Sequence, residues 1–153
     1  MNLYFPKWLL ILFVIFALWL LWLCNAHAEA YIIDIEKELA MVLAAEGCSE
    51  GENGMIAILS VIKNRVTMWN KTEWQVISAK NQFYGFTASN KYVLYNQCKE
   101  MADRIVRNRG FIMDNTGGAL YFRQPSEPIY SWHGEETVRI GNHIFHKERV
   151  KND

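Results

Sequence analysis

Residues 31–69 read YIIDIEKELAMVLAAEGCSEGENGMIAILSVIKNRVTMW, two amphipathic stretches that meet at a glycine-punctuated corner. In the first, Ile35, Leu39, Val42 and Leu43 recur at i, i+4, i+7 and i+8, the spacing of one helix face, which predicts a helix over Tyr31–Glu46. Glu46 falls on that same stripe, one residue before Gly47. A carboxylate there is at odds with a core-facing stripe unless a cleft opens at the helix end. In the second stretch Met55, Leu59, Ile62, Val66 and Trp69 carry the stripe, predicting a long helix from about Glu50 to Trp69. Ser49 and Glu52 have the spacing of a capping box at its start.

Further along, Thr72 with Gln75 forms a second capping pair, predicting a short helix through about Ala79. A polar, aromatic loop, Asn81–Asn90, follows. Leu94, Cys98, Met101 and Ile105 then mark a fourth helix ending near Gly110. Beyond it the pattern changes. Asp114-Asn115-Thr116-Gly117-Gly118 is turn chemistry, Ala119–Phe122 is a short strand, and Val138-Arg139-Ile140 and His143-Ile144-Phe145 flank Gly141-Asn142 as a hairpin. Helices first and strands afterwards predict an α+β domain, a helical core flanked by a small antiparallel sheet.

Upstream, 21 of the first 24 residues are hydrophobic, so the 51% hydrophobic content of the 153-residue chain is concentrated at the start. Lys7, the apolar run Trp8–Cys24 and then Ala26-His27-Ala28 reproduce the charged, hydrophobic and small-x-small order of a secretory signal cleaved after Ala28. The competing reading is an uncleaved anchor that holds the protein to the membrane through residues 8–24. Under either, residues 1–28 are a signal peptide or signal anchor, residues 29–153 form one catalytic-sized domain, and that domain faces outward to the periplasm or cell-wall space. Lipid attachment at Cys24 is disfavoured by Leu23, where a small residue is expected. The formal charge is zero and becomes −1 when Lys7 leaves with the leader, which argues against a nucleic-acid partner. After cleavage Cys48 and Cys98 remain; export permits one disulfide, and a free thiol for Cys98 on the helix stripe is the alternative.

Glu46 points most directly to chemistry. A carboxylic acid on an apolar helix face has its charged form disfavoured, so it keeps a proton near neutral pH, as the general acid of glycosidic cleavage must. The bland alternative is a carboxylate at a frayed helix end, facing water or paired with Arg65. Glu50 is the nearest second carboxylate, and its other reading is a favourable charge at the start of the second helix. Gln82 and Phe83 lie in an inter-helix loop, an amide for hydroxyl or N-acetyl groups and a ring to stack on a sugar, or else a satellite core beneath the loop. Tyr84 and Phe86 share that ambiguity. Tyr121 is either cleft lining or a buried tyrosine, and Trp132 either a sugar platform or a cover for the sheet edge. Asn142 suits the turn for conformational reasons alone. His143 is read as orienting Glu46 or binding substrate.

The run Ala45-Glu46-Gly47-Cys48-Ser49-Glu50, then Gly54, then Asn64-Arg65-Val66, resembles the A-E-A-R-G-E…G…N-R-V signature of the cell-wall hydrolases typified by the spore cortex-lytic enzyme. Gln82-Phe83, Thr116–Phe122, Trp132 and Ile140–Phe145 recur in that family's order, so the resemblance spans about residues 38–147. It implies a lysozyme-like, lytic-transglycosylase-like fold acting on the peptidoglycan glycan, with Glu46 in the place of the family's catalytic glutamate. Gly47-Cys48-Ser49 replaces Ala-Arg-Gly, and Asn53 stands where the family often has a glutamate.

The expected reaction is cleavage of the β-1,4 bond between N-acetylmuramic acid and N-acetylglucosamine, by a monomer without cofactor. Capture by the muramic 6-hydroxyl gives an anhydro sugar, and capture by water a reducing end. A zinc peptidase built on His133, His143 and His146 is disfavoured, because no H-E-x-x-H occurs and residues three apart on a strand point to opposite faces. A membrane-tethered wall-binding scaffold without turnover is the remaining alternative.

Overall fold

The computed structural model describes residues 7–83, 91–130 and 134–148. The chain divides into two compact units, Met1–Asp34 and Ile35–Asp153. Helix α1, Lys7–Gly47, contributes to both. Its first half carries exposed apolar residues such as Trp8, Phe13 and Trp22. Among the described residues no helix is long and apolar enough to cross a membrane. At 1.5 Å per residue the Trp8–Cys24 run spans roughly 26 Å against a hydrocarbon core of roughly 30 Å. The anchor expectation finds no support there.

In the second unit residues 39–44 of α1 are enclosed on all sides. Leu39, Val42 and Leu43 are buried as their spacing predicts, and so are Ala40, Met41 and Ala44. The one-sided stripe is thus an underestimate, because the small alanines let neighbours close on the opposite face as well. A 3-10 turn, Cys48–Glu50, leads into α2, Gly51–Trp69, whose Met55, Ile58, Leu59 and Ile62 join the same core. The expected Ser49–Glu52 capping box does not form. Glu50 occupies the N-cap with no side-chain cap hydrogen bond, Ser49 Oγ donates to Glu50 Oε2 at 2.9 Å, and Glu52 pairs with Arg104 at 2.9 Å. The tight turn places Ser49 one residue too early to reach the free amides of α2.

Helix α3, Glu73–Ile77, opens with the Thr72–Gln75 capping box in both directions and ends two residues sooner than expected. Helix α4, Lys91–Arg107, adds Ala102, Ile105 and Val106 to the core and is interrupted at Cys98, where φ/ψ is −119°/15°. That kink coincides with a disulfide: Cys98 is bonded to Cys48 across 50 residues of chain, with Cα atoms 6.1 Å apart. The free-thiol alternative for Cys98 is therefore set aside. Past α4, Arg109 spans two elements, donating to Glu36 of α1 at 2.8 Å and approaching Glu73 of α3 at 3.3 Å.

The segment from 110 to 120 is held onto α2 by polar side chains. Lys63 Nζ donates to the carbonyls of Arg109 and Ile112, and Asn64 Nδ2 to that of Ala119. Asp114 accepts from the Thr116 and Gly118 amides and from the Thr116 hydroxyl. Burial pushes its pKa up, but these donors outweigh it and hold the carboxyl below its ordinary range. Gly117 and Gly118 both have positive φ, 67° and 82°, which L side chains rarely adopt.

Strands β1, Tyr121–Arg123, β2, Glu135–Ile140, and β3, His143–Lys147, form an antiparallel sheet in the order β1-β3-β2. Strand β1 begins two residues later than predicted. The hairpin is as predicted: Ile140 pairs with His143 across Gly141-Asn142, and Gly141 takes the positive φ of 56° at the first turn position. The central strand β3 is buried from His143 to His146, with Phe145 fully inaccessible in the helical core.

Closing a 50-residue loop by the disulfide lowers the entropy of the unfolded chain, worth up to about 4 kcal/mol. Cys98→Ser, or reduction of the parent, is therefore expected to lower the melting temperature measured by calorimetry. An unchanged transition with and without reductant would contradict this.

Candidate active site

Gly47 ends α1 and rests directly on α2. A Cβ at this position would lie 2.9 Å from the Met55 nitrogen and 3.0 Å from the Gly54 carbonyl carbon, both backbone atoms that cannot yield. The close approach brings Glu46, on the last turn of α1, and Glu50, at the start of α2, to one cavity of about 780 Å³. The opposite wall comes from the sheet and its hairpin turn: Tyr121, Phe122, Arg123, Asn142 and His143. Asn81 and Gln82 contribute from the loop after α3, and Gln124 and Glu127 from the turn after β1.

Glu46 is half-buried, as the residue where an apolar helix face opens into a cleft. Arg65, on α2, lines the same cavity and is only 3% exposed. Its Nε donates to the Leu120 carbonyl at 2.6 Å, and its guanidinium lies 4.9 Å from the Phe83 ring, 5.1 Å from Trp69 and 5.8 Å from Tyr121. Burial lowers its pKa to about 10, while the charges of Tyr121 and Glu46 oppose that shift. Arg65 remains a cation at neutral pH, in a setting where charges are weakly screened. Tyr121 is itself pushed up by burial first and by Glu148 second, with Arg65 acting the other way, so its hydroxyl is a neutral donor.

Glu50 and His143 form a second feature. Glu50 Oε2 lies 3.7 Å from His143 Nδ1, ion-pair rather than hydrogen-bond distance, and both side chains are 7% exposed. His143 packs edge-on against Phe122, with ring centroids 5.3 Å apart at 90°. His143, expected to orient Glu46 or bind substrate, has the Glu50 carboxylate beside it.

Of the residues singled out from sequence, Glu46, Glu50, Gln82, Tyr121 and His143 come together in this cavity, and Asn142 joins them. Phe83 does not. It is 3% exposed, its ring packs 6.1 Å from that of Phe122, and it belongs to the hydrophobic core beneath Arg65. The apolar ring is worth more in the core than on the surface, so the sugar-stacking role is withdrawn. Trp132, Tyr84, Phe86 and His133 lie outside the described residues. Arg65 was legible as an ion-pair partner for Glu46 and as part of the Asn64-Arg65-Val66 block, not as a residue lining the cavity. Its place beside Val66 and three residues after Ile62, on the buried face of α2, is the signal of a cation held for a purpose. Arg123, Gln124 and Glu127 carry no such signal.

The chain matches the family model described as cell wall hydrolase over residues 49–146. Glu46 therefore stands three residues before the matched stretch. Among solved structures, the chain is similar to the catalytic domain of the SleB protein of Bacillus cereus, at 29% identity and a TM-score of 0.58, covering 74% of this chain and 89% of that one. It is also similar to the catalytic domain of the germination-specific lytic transglycosylase SleB of Bacillus anthracis, at 31% identity and a TM-score of 0.60, covering 74% and 93%. No curated protein matches.

The corner that holds these acids yields a prediction with a reversed sign. Gly→Ala inside a helix ordinarily stabilises by about 1 kcal/mol. At Gly54 the new methyl would overlap Glu50 Cβ, which is tied to the backbone and cannot swing aside. Gly54→Ala is expected to destabilise by about 1–3 kcal/mol, read as a lower urea midpoint. A raised midpoint would contradict the packing described.

Proposed function

Because the chain belongs to the cell wall hydrolase family, an enzyme family, we propose that it cleaves the peptidoglycan glycan strand as a lytic transglycosylase, with Glu46 as general acid and base. The scissile bond in this reading is the β-1,4 bond between N-acetylmuramic acid and N-acetylglucosamine. The observation that carries it is a half-buried carboxylic acid at a helix end, opening on a cavity walled by amides, a tyrosine and a fixed cation. Similarity to a lytic transglycosylase catalytic domain at 31% identity supports the same reaction type.

The glycan lies along the cleft between the helical wall and the sheet wall. Protonated Glu46 donates to the glycosidic oxygen as that bond breaks and positive charge develops at the anomeric carbon. The resulting carboxylate is stabilised by the Arg65 charge, which is fixed in place before the reaction and costs nothing to reorganise. Glu46 then takes the proton of the 6-hydroxyl as it closes on the anomeric carbon, leaving a 1,6-anhydro sugar. Gln82 and Asn142 offer amides to the sugar hydroxyl and N-acetyl groups, and Tyr121 a ring face. A second reading, capture by water, draws support from Glu50, a second carboxylate on the same cavity.

In this proposal residues 1–28 are a secretory signal and residues 29–153 the catalytic domain, so the enzyme works outside the cytoplasm. The supporting features are the Lys7, Trp8–Cys24 and Ala26-His27-Ala28 order and the length of the apolar run. N-terminal sequencing of the exported chain is expected to begin at Glu29. A first residue at Met1 would favour a retained leader.

Digestion of purified peptidoglycan, followed by mass spectrometry, tests the chemistry. Anhydro-muramic ends are expected, and Glu46→Gln should lower the rate by about 1,000-fold while leaving the melting temperature near that of the parent. Reducing N-acetylmuramic ends would instead identify a muramidase. Released peptides with an intact glycan would sink both readings.

A further inference from the structure

Glu50 sits in a seat made by two glycines. A Cβ at Gly54 would overlap Glu50 Cβ, and one at Gly141 would lie 2.8 Å from that same atom and overlap Glu50 Cγ. Side chains at both positions are thus forgone where the acid enters. Gly141 is in the hairpin turn and Gly54 in α2, so the seat joins the two walls of the cleft. The acid is nine-tenths buried, with Ser49 Oγ donating to its Oε2 at 2.9 Å and His143 Nδ1 3.7 Å away. Burying a carboxylate is unfavourable unless it is paired or serves the chemistry. Helix capping does not account for it, because Glu50 stands at the N-cap of α2 without a side-chain capping hydrogen bond. Its position on the cavity that also holds Glu46 does.

We propose that Glu50 is a second catalytic group of the cleft, whose carboxylate accepts a hydrogen bond from the hydroxyl attacking the anomeric carbon and aims its lone pair at that carbon. His143 fixes the acid for this task and is a positioning residue. The role rests on the glycan cleavage proposed above and completes it without changing the proton balance. Glu46 gives its proton to the glycosidic oxygen, and the carbon–oxygen bond breaks with its electron pair left on that oxygen. While Glu46 is still protonated, the attacking hydroxyl points its one proton at Glu50; once Glu46 is a carboxylate, the oxygen bonds to the anomeric carbon and that proton turns from Glu50 to Glu46, to which it passes. Glu50 neither gains nor loses a proton over the cycle. Because it orients whichever hydroxyl attacks, it governs the partition between the 6-hydroxyl and water.

The test compares the full chain with Glu50→Gln and Glu50→Asp on soluble glycan strands, following initial rates and the ratio of anhydro to reducing ends. Gln keeps the volume of the acid and removes its charge, so kcat is expected to fall about 100-fold, with KM changed by no more than about threefold. The product ratio should shift with it, which a merely structural role would not cause. Asp keeps the charge but withdraws it by one methylene, and should move the ratio in the same direction by less. Were Gln to prevent folding, the Asp variant alone decides, since a product ratio and kcat equal to the parent's would overturn the proposal. The same holds for a folded Gln variant with parental kcat and products, or with only KM raised. A parent that cleaves glycan while these variants match it overturns the Glu50 role alone. A parent that leaves glycan intact overturns the cleavage reading and this role together.

Discussion

The contact of Gly47 with the backbone of α2 is the constraint on which the rest of the site depends. With no side chain at 47, the end of α1 approaches the Gly54–Met55 peptide to van der Waals contact, and the chain reverses through a single 3-10 turn. That short turn places the acids at 46 and 50 on one cavity instead of on opposite sides of a longer loop. A Cβ at 47 would require the two backbones to separate by roughly half an ångström, a displacement that a close-packed interior resists.

Around this corner the molecule applies covalent and polar restraints in preference to more apolar area. The Cys48–Cys98 disulfide ties the turn to α4, immediately beside Glu50. On the other side, Lys63 and Asn64 hold the 110–120 segment to α2, and Arg65 hydrogen-bonds the Leu120 carbonyl, so three consecutive residues of one helix fix the approach to β1. Burial of Arg65 among Trp69, Phe83 and Tyr121 combines two effects: the rings favour the cation, and the exclusion of water strengthens its field at Glu46.

Much of this was legible in the residue pattern. Helix spacing located the buried faces of α1 and α2, the Thr72–Gln75 pair marked the start of α3, and Gly141-Asn142 fixed the hairpin register. The misses have physical causes. Ser49 and Glu52 have capping spacing, but the 3-10 turn shifts the helix start so that Glu50 takes the cap. Cys98 fits an apolar stripe, yet its bond to Cys48 coincides with a break in α4. Phe83 looked like a loop aromatic facing a sugar and is core, because sequence periodicity carries no information about which side of a loop faces inward.

The sequence by itself determined the order of the elements, the concentration of apolar residues at the start of the chain and the anomaly of Glu46 on a core-facing stripe, since these depend on spacing along one chain. Only the tertiary structure decided which groups share its cavity: Arg65 rather than a solvent counter-ion, and Glu50 seated between Gly54 and Gly141 against His143. The residues that meet there are up to about 100 positions apart, from Ala45 to His143. Their encounter is fixed by the crossing of α1 and α2 and the register of β3, which local periodicity does not encode.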